Sequence, residues 1–458
     1  MKRIAEQLGF DSSWPAFMRR ALALALPIAA QRVVSLLVNL LDNLMVGSLG
    51  DTAISACSLG NQFFTLYLCV ITGLIGGAVI IATQAWGNRD AAAVKRMTSA
   101  GIWLCFLAGL LFSMLTLRFP ENIIKIYTDQ SPLFAPGASY LGILAWSFLP
   151  YALTTAVTMM LQAVGSVRIG FYIECVNSAL NALLNWILIF GKLGAPALGL
   201  EGAAIATVIA RYAGLVIAIL YLFRLEKSLG FRFRDLLSLP DRTEWLVYAR
   251  CGLPILIGDT LIMLNSMVQT MITGRISDVY IAANSIVHVI WQIAILTGSG
   301  FERASAIMVG GDIGAGDMDL AQRDGERFLG LSLLQGLVSA VVVLAIGPVL
   351  LSFYNVSAET AAVARTMIGS ASVVVFTMAV QYIVTKGVIR SGGKTRQVMV
   401  VDLLSCACFG LPLGYLAAFV LRWPPYAIYI VIRSDYLVKA IWGVVQLKRK
   451  KWILRLVG

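Results

Sequence analysis

The sequence predicts an all-α integral membrane protein: twelve transmembrane helices in two six-helix halves, related by a pseudo-twofold axis along the membrane normal. Three observations carry this. Of 458 residues, 59% are hydrophobic and 13% charged, with a mean hydropathy of +0.82, against ~25% charged in soluble domains. Twelve apolar runs recur at about residues 22–48, 53–85, 98–117, 133–163, 169–191, 198–223, 246–274, 279–309, 328–353, 361–389, 397–421 and 424–447, each of a length that crosses a bilayer as a helix of ~20 residues. A fixed offset of 227 lays Pro27 on Pro254, Gly47 on Gly274, Asp51 on Asp278, Ala56 on Ala283, Gly87 on Gly314, Asp90 on Asp317 and Gly165 on Gly392. Six spans per half is an even number, so the two halves share an orientation.

Lys and Arg then orient the bundle. Residues 1–20, MKRIAEQLGFDSSWPAFMRR, are polar for too long to open a cleavable signal peptide and read as a cytosolic lead-in. With that end in the cytosol, 23 Lys and Arg fall on the cytosolic side. Only Arg118, Lys125, Lys192, Arg275 and Arg422 fall outside, so both termini are expected in the cytosol. The net charge of +12 is then topology and not a nucleic-acid footprint, since no basic face with interleaved aromatics occurs. Residues 1–223 form one half, 224–245 a polar cytosolic linker and 246–458 the other half. The seven cysteines, Cys57, Cys69, Cys105, Cys175, Cys251, Cys406 and Cys408, sit inside apolar runs at spacings that suit neither disulfides nor a metal.

Taken in order, the first span carries the most informative stripe. Asp42 lies near the middle of LALPIAAQRVVSLLVNLLDNLMVGSLGD (24–51), where an ionised carboxylate costs at least ~2.5 kcal/mol. Arg32, Ser35, Asn39 and Asp42 follow at steps of three, four and three and share one face, which must look into a bundle interior or a wet cavity. Span five adds Glu174, Asn177, Asn181 and Asn185 on one face, and span six adds Thr207. In the second half, span seven carries Asp259. Span eight carries His288, with Ser285 and Gln292 on its face, and then Glu302 and Arg303; span ten carries Lys386 near its cytosolic end. For Arg211, Arg365, Arg433, Asp402, Asp435 and Lys439, snorkelling or mutual pairing is expected, with Asp435 and Lys439 spaced to pair.

The LP start of each half, GNRDAAAVKR after span two, LQAVGSVRIGF after span four, GLEGAAIAT opening span six and VIRSGGKTRQ after span ten resemble the multidrug and toxic compound extrusion (MATE) family over essentially the whole chain. The resemblance implies a MATE/MOP-type fold, two six-helix lobes in a V, and antiport of H+ or Na+ against exported organic molecules, with no cofactor beyond the coupling ion. It also implies that Asp42 is the family's first-helix acid, Asn181 and Asn185 its fifth-helix pair, and Thr207 its sixth-helix hydroxyl. A carboxylate with amide and hydroxyl oxygens is a hard-donor set suited to Na+, and the same desolvated carboxylate can instead take a proton. One branch of the family has an acid where Asn185 stands, so the lower negative charge here favours H+ or a weak Na+ site. The structural alternative is a hydrogen-bonded cluster pinning three helices, with Glu174 simply pairing with Arg168.

The second half departs from the resemblance. The best-known bacterial branch has acids at the positions of Ile262 and Ala379; here Asp259 stands one turn before the first, and Lys386 follows the second. Glu302 and Arg303 are expected to form ion pairs near the cytosolic mouth, with Lys386, or a gate. His288 is expected either to pack by a hydrogen bond or to line a polar wall. Arg32, Asn39, Glu174, Asn177, Asp259, His288, Glu302, Arg303 and Lys386 are therefore candidates for the substrate cavity or for secondary coupling.

Gly393-Lys394-Thr395 ends like a phosphate-binding loop, but Val388 stands where that motif needs glycine, and no triad or metal spacing supports an enzyme. The expected function is an ion-coupled secondary antiporter exporting organic, cationic or amphipathic drugs or metabolites, acting as a monomer among the lipids of a bacterial inner membrane. The alternative is a lipid-linked precursor flippase of the same superfamily, for which Arg32, Arg303 and Lys386 would meet a pyrophosphate. A receptor or scaffold would want a dedicated soluble domain.

Overall fold

The computed structural model describes residues 13–354 and 356–456, so the first twelve residues of the expected cytosolic lead-in lie outside the described residues. Among these residues all regular structure is helical. Eleven helices are long and apolar enough to cross a membrane: α1 (Trp14–Gly47), α2 (Asp51–Gly87), α3 (Ala91–Arg118), α4 (Ser131–Ala163), α5 (Arg168–Phe190), α6 (Gly199–Leu225), α7 (Arg242–Thr273), α8 (Asp278–Gly314), α9 (Met318–Ser352), α10 (Ala358–Ile389) and α11 (Thr395–Val420). The twelfth run is jointed. Its pieces, α12 (Pro425–Ile432) and α13 (Ser434–Lys448), meet at Arg433, whose φ of −107° and ψ of 13° leave the helical ladder.

The duplication is visible in the backbone. Asp90 and Asp317 cap α3 and α9 with nearly the same conformation, φ and ψ of −88° and 80° against −90° and 81°. Each carboxylate accepts from an otherwise orphaned amide, Ala93 N at 2.9 Å and Leu320 N at 2.8 Å. One pairing needs correction. After α4 and α10 the left-handed turn is made by Gly165 (φ 87°) and Gly393 (φ 82°), not Gly392, so the offset there is one residue longer. The cause lies just upstream: α10 contains a π-helical stretch, Gln381–Ile389, that α4 lacks. Such a bulge absorbs an inserted residue without breaking the helix.

By packing, the chain divides into two compact units. One takes residues up to Ala29, Thr83–Arg89 and Leu253 onward, and the other takes Ala30–Ala82 and Asp90–Gly252. These units cut across the expected halves in a paired way. The start of α1 packs with the second half, and the start of α7 and the linker pack with the first.

In the unit that includes the end of α2, Phe17 and Ala21 of α1 pack with Phe328 of α9 and Val384 and Val388 of α10. Here α2 and α8 cross glycine to glycine. A Cβ on Gly87 would lie 2.0 Å from Gly311 O, and one on Gly314 would lie 1.8 Å from Gln84 O. Gln84 and Gly311 are themselves related by the 227 offset, so the contact is reciprocal and the twofold relating these two helices runs through it.

In the other unit the linker is docked. Lys95 pairs with Asp235 at 2.9 Å, Arg96 with Glu244 at 2.6 Å, and Ser99 Oγ donates to Leu236 O at 2.6 Å. Burial would push Glu226 up, but hydroxyls of Ser228 and Ser166 and nearby backbone amides outweigh it and hold its carboxyl below the ordinary 4.5.

Candidate ion-coupling site

Three helices of one unit bring Asp42 and its expected partners together. Asn185 Nδ2, on α5, donates to Asp42 Oδ1, on α1, at 2.5 Å. One turn along α5, Asn181 Oδ1 accepts from Asn185 Nδ2 at 3.2 Å, and Asn181 Nδ2 donates to Thr207 Oγ1 of α6 at 3.1 Å. The Thr207 hydroxyl is free to donate to Ala203 O at 3.0 Å. Asn181 and Asn185 are buried, so their amide groups have little water to turn to.

The Asn181 amide fits two orientations. In the one just described, Oδ1 faces the Asp42 carboxylate. Turned over, Nδ2 donates to Asp42 Oδ1 and Oδ2 at 2.8 and 3.1 Å while Oδ1 accepts from Thr207 at 3.1 Å, and the Asn185 hydrogen bond to Asn181 is given up, its Nδ2 then facing Asn181 Nδ2 at 3.2 Å. Two acceptor oxygens at 2.8 Å require a proton between them, so the first orientation suits a protonated Asp42 and the second an ionised one.

The stripe extends along α1 and α5. Ser35 Oγ donates to Glu174 Oε1, so Glu174 is tied to α1 and does not pair with Arg168, as its structural alternative held. Arg32 is exposed and acts electrostatically on Glu174. Asn177 leans on Gly214 of α6, and its Oδ1 accepts no hydrogen bond. Asn39 is exposed. Arg32, Asn39 and Asn177 therefore share the face of the cluster without touching Asp42.

One member was missed in the sequence. Arg211 does not snorkel: its Nη1 donates to Ser147 Oγ at 2.7 Å, and its guanidinium covers Phe64 at 4.0 Å and Tyr151 at 5.0 Å. It lies close enough to act on both Asp42 and Glu174. The available signal was its position four residues after Thr207, on the same face of α6.

In the other unit, Asp259 of α7 is held by Arg390 at 3.1 Å and Lys386 at 3.7 Å, and Arg303 acts on it electrostatically. Lys386 thus pairs with Asp259 and not with Glu302, which corrects the expected Glu302 pairing. His288 is not a buried packing residue. It is exposed, as are Ser285 and Gln292 on its face, and it stacks on Trp291 at 5.4 Å. Asp435 and Lys439 pair as expected, at 2.8 Å, and both are buried.

Known proteins resemble this chain in sequence and in fold. The MatE family profile matches residues 27–187 and again 254–416, two matches that open on the two LP prolines. The chain is 29% identical over 309 residues to the "Probable multidrug resistance protein NorM" of Rhizobium meliloti, covering 67% of this chain and 66% of that one. It is 26% identical over 419 residues to the protein of the same name from Agrobacterium fabrum, covering 89% of each. A solved structure described as an outward-facing multidrug resistance MATE family transporter of the MOP superfamily has the same fold, with a TM-score of 0.87 at 16% identity over 98% of this chain and 99% of that one. With the profile matching both halves, the chain belongs to the MatE family of multi-pass membrane transporters.

Proposed function

We propose that this protein exports small organic molecules, cationic or amphipathic drugs or metabolites, across a bacterial inner membrane by antiport with protons, with both termini in the cytosol. Relatives that carry multidrug-resistance names support the substrate class. The Lys and Arg asymmetry supports the orientation.

The observation that carries proton coupling is the Asp42–Asn185–Asn181 arrangement. A carboxylate met by an amide at 2.5 Å, beside a second amide that can either accept a proton bond or donate to both oxygens, has a matched partner for each protonation state. Protonation would neutralise Asp42 in a setting where its charge is costly, and loss of the proton would be offset by amide donors and by Arg211. Arg211 also works against a metal cation, because its fixed charge already acts on the same carboxylate. Asp42 is the one acid of the set, and among the described residues no three His, Cys, Asp or Glu gather into a metal-binding group. By linkage, a proton that lowers substrate affinity must itself be bound less tightly when substrate is present. The flippase alternative is weakened by the engagement of Lys386 and Arg390 with Asp259, which leaves less basic charge for a pyrophosphate.

The test is reconstitution in vesicles with ethidium as probe and an imposed pH or Na+ gradient, comparing wild type with Asp42→Asn. Movement driven by the pH gradient and abolished by the substitution is expected. Movement driven only by Na+ would overturn the proton assignment, and driven movement that survives Asp42→Asn would remove Asp42 from coupling.

A further inference from the structure

The second half of the chain holds a buried charged network that the Asp42 site does not use. Lys439 of α13 donates to Asp435 one turn away at 2.8 Å, and its Nζ also stands 3.5 Å from Asp402 Oδ1 of α11. Asp402, Asp435 and Lys439 are 3%, 2% and 1% exposed, far from the water that could share their charges. Buried charges are tolerated when their attraction is well aligned and their remaining lone pairs are hydrogen-bonded. Here one cation faces two carboxylates, and Asp402 Oδ1 and Asp435 Oδ1 accept no hydrogen bond. The next cations, Lys386 of α10 and Arg390 just past its end, act on Asp402 but are bound to Asp259. Asp402 therefore shares Lys439 with Asp435 at the longer of the two distances.

The remaining groups around it are accounted for element by element. On its own helix, Cys406 Sγ lies 3.5 Å from Lys439 Nζ and 3.6 Å from Asp435 Oδ2. From α10, Tyr382 acts on the network and Thr385 Oγ1 donates to Lys439 O at 3.3 Å. Tyr436 of α13 lies 5.5 Å from Lys439 Nζ, and at the joint before it Arg433 covers Tyr429 at 3.9 Å. From α8, Glu302 acts on Tyr382 and Arg303 on Asp259. The network also has direction. Arg390 lies just past the end of α10, whereas Asp435 lies thirteen residues before the end of α13, roughly 20 Å inward at 1.5 Å per residue.

We propose that Asp402 is a second proton-binding site in the second half of the chain, a carboxylate that takes up and releases a coupling proton beside the Asp435–Lys439 pair. The proton binds Asp402 Oδ1. When it is bound, Lys439 neutralises Asp435 alone; when it leaves, Lys439 is shared between both carboxylates and stays charged throughout. This rests on the proton coupling proposed above.

The experiment uses reconstituted full-length protein with ethidium in two assays, accumulation driven by a pH gradient and ethidium exchange at equal pH. Asp402→Asn leaves the 2.8 Å Lys439–Asp435 pair in place. It is expected to cut driven transport about tenfold or more while exchange stays within about twofold, the split that separates coupling from substrate handling. Driven transport at the wild-type level, or loss of exchange together with driven transport in a folded variant, overturns the proposal. Should Asp402→Asn fail to fold, Asp402→Glu keeps the carboxylate and is expected to shift the pH profile of driven transport; an unshifted profile overturns the site. A wild type that ignores the pH gradient would sink the proton reading itself, whereas failure confined to the Asp402 variants sinks only this second site.

Discussion

Asp42 is distinguished less by its charge than by the groups that meet it. Its place on a polar stripe is plain in the sequence, and so is the one-turn spacing of Asn181 and Asn185, because helical periodicity alone puts those residues on shared faces. What periodicity cannot supply is which face of α6 turns toward α1. Arg211 was for that reason indistinguishable from a snorkelling arginine until its contacts with Ser147 and Phe64 were seen. If the half-buried guanidinium is what disfavours a metal ion at Asp42, removing it has a specific consequence. On the proton coupling proposed above, Arg211→Gln should let a Na+ gradient drive ethidium movement, whereas the wild type should respond to the pH gradient alone. Vesicle transport under crossed pH and Na+ gradients measures this, and a variant that stays blind to Na+ would reduce Arg211 to a packing role.

At the scale of elements, the apolar runs located the eleven helices that are long and apolar enough to cross a membrane among the described residues, and the offset pair Asp90 and Asp317 proves to cap α3 and α9. The joint at Arg433 was not legible, because neither glycine nor proline marks it. The π-helical stretch in α10 was hidden too and surfaced only as a one-residue slip between the repeats. The linker looked merely polar in sequence, yet it is docked through Lys95, Arg96 and Ser99, with Glu226 at its start.

Glu226 makes that docking testable. Its carboxyl is held below its ordinary value of 4.5, so its contribution to stability is fully present above that pH and is lost as the pH falls through the lower folded value. The melting temperature of wild type should therefore exceed that of Glu226→Gln at neutral pH, and the gap should close as the pH is taken down to about 3. A gap that persists at low pH would mean that the hydrogen bonds from Ser166 and Ser228 do not depend on the charge.

For the whole molecule, the 227 offset is the most far-reaching feature of the sequence, and the α2–α8 crossing is where it becomes a physical contact. Sequence matching could align Gly87 with Gly314, but not reveal that each faces a backbone carbonyl of the other's helix. That reciprocity dictates an energetic pattern. In Gly87→Ala or Gly314→Ala the new methyl would sit 2.0 or 1.8 Å from a carbonyl oxygen, so the helices must separate; overpacking of this kind costs about 1–3 kcal/mol. Once one methyl has forced the separation, the second meets a gap already opened. The double variant should thus be less destabilised than the two single variants together, by about 0.5 kcal/mol or more, as residues in direct contact do not add independently. Thermal unfolding of the four purified proteins in detergent measures this. Strict additivity would show that the two glycines are packed independently.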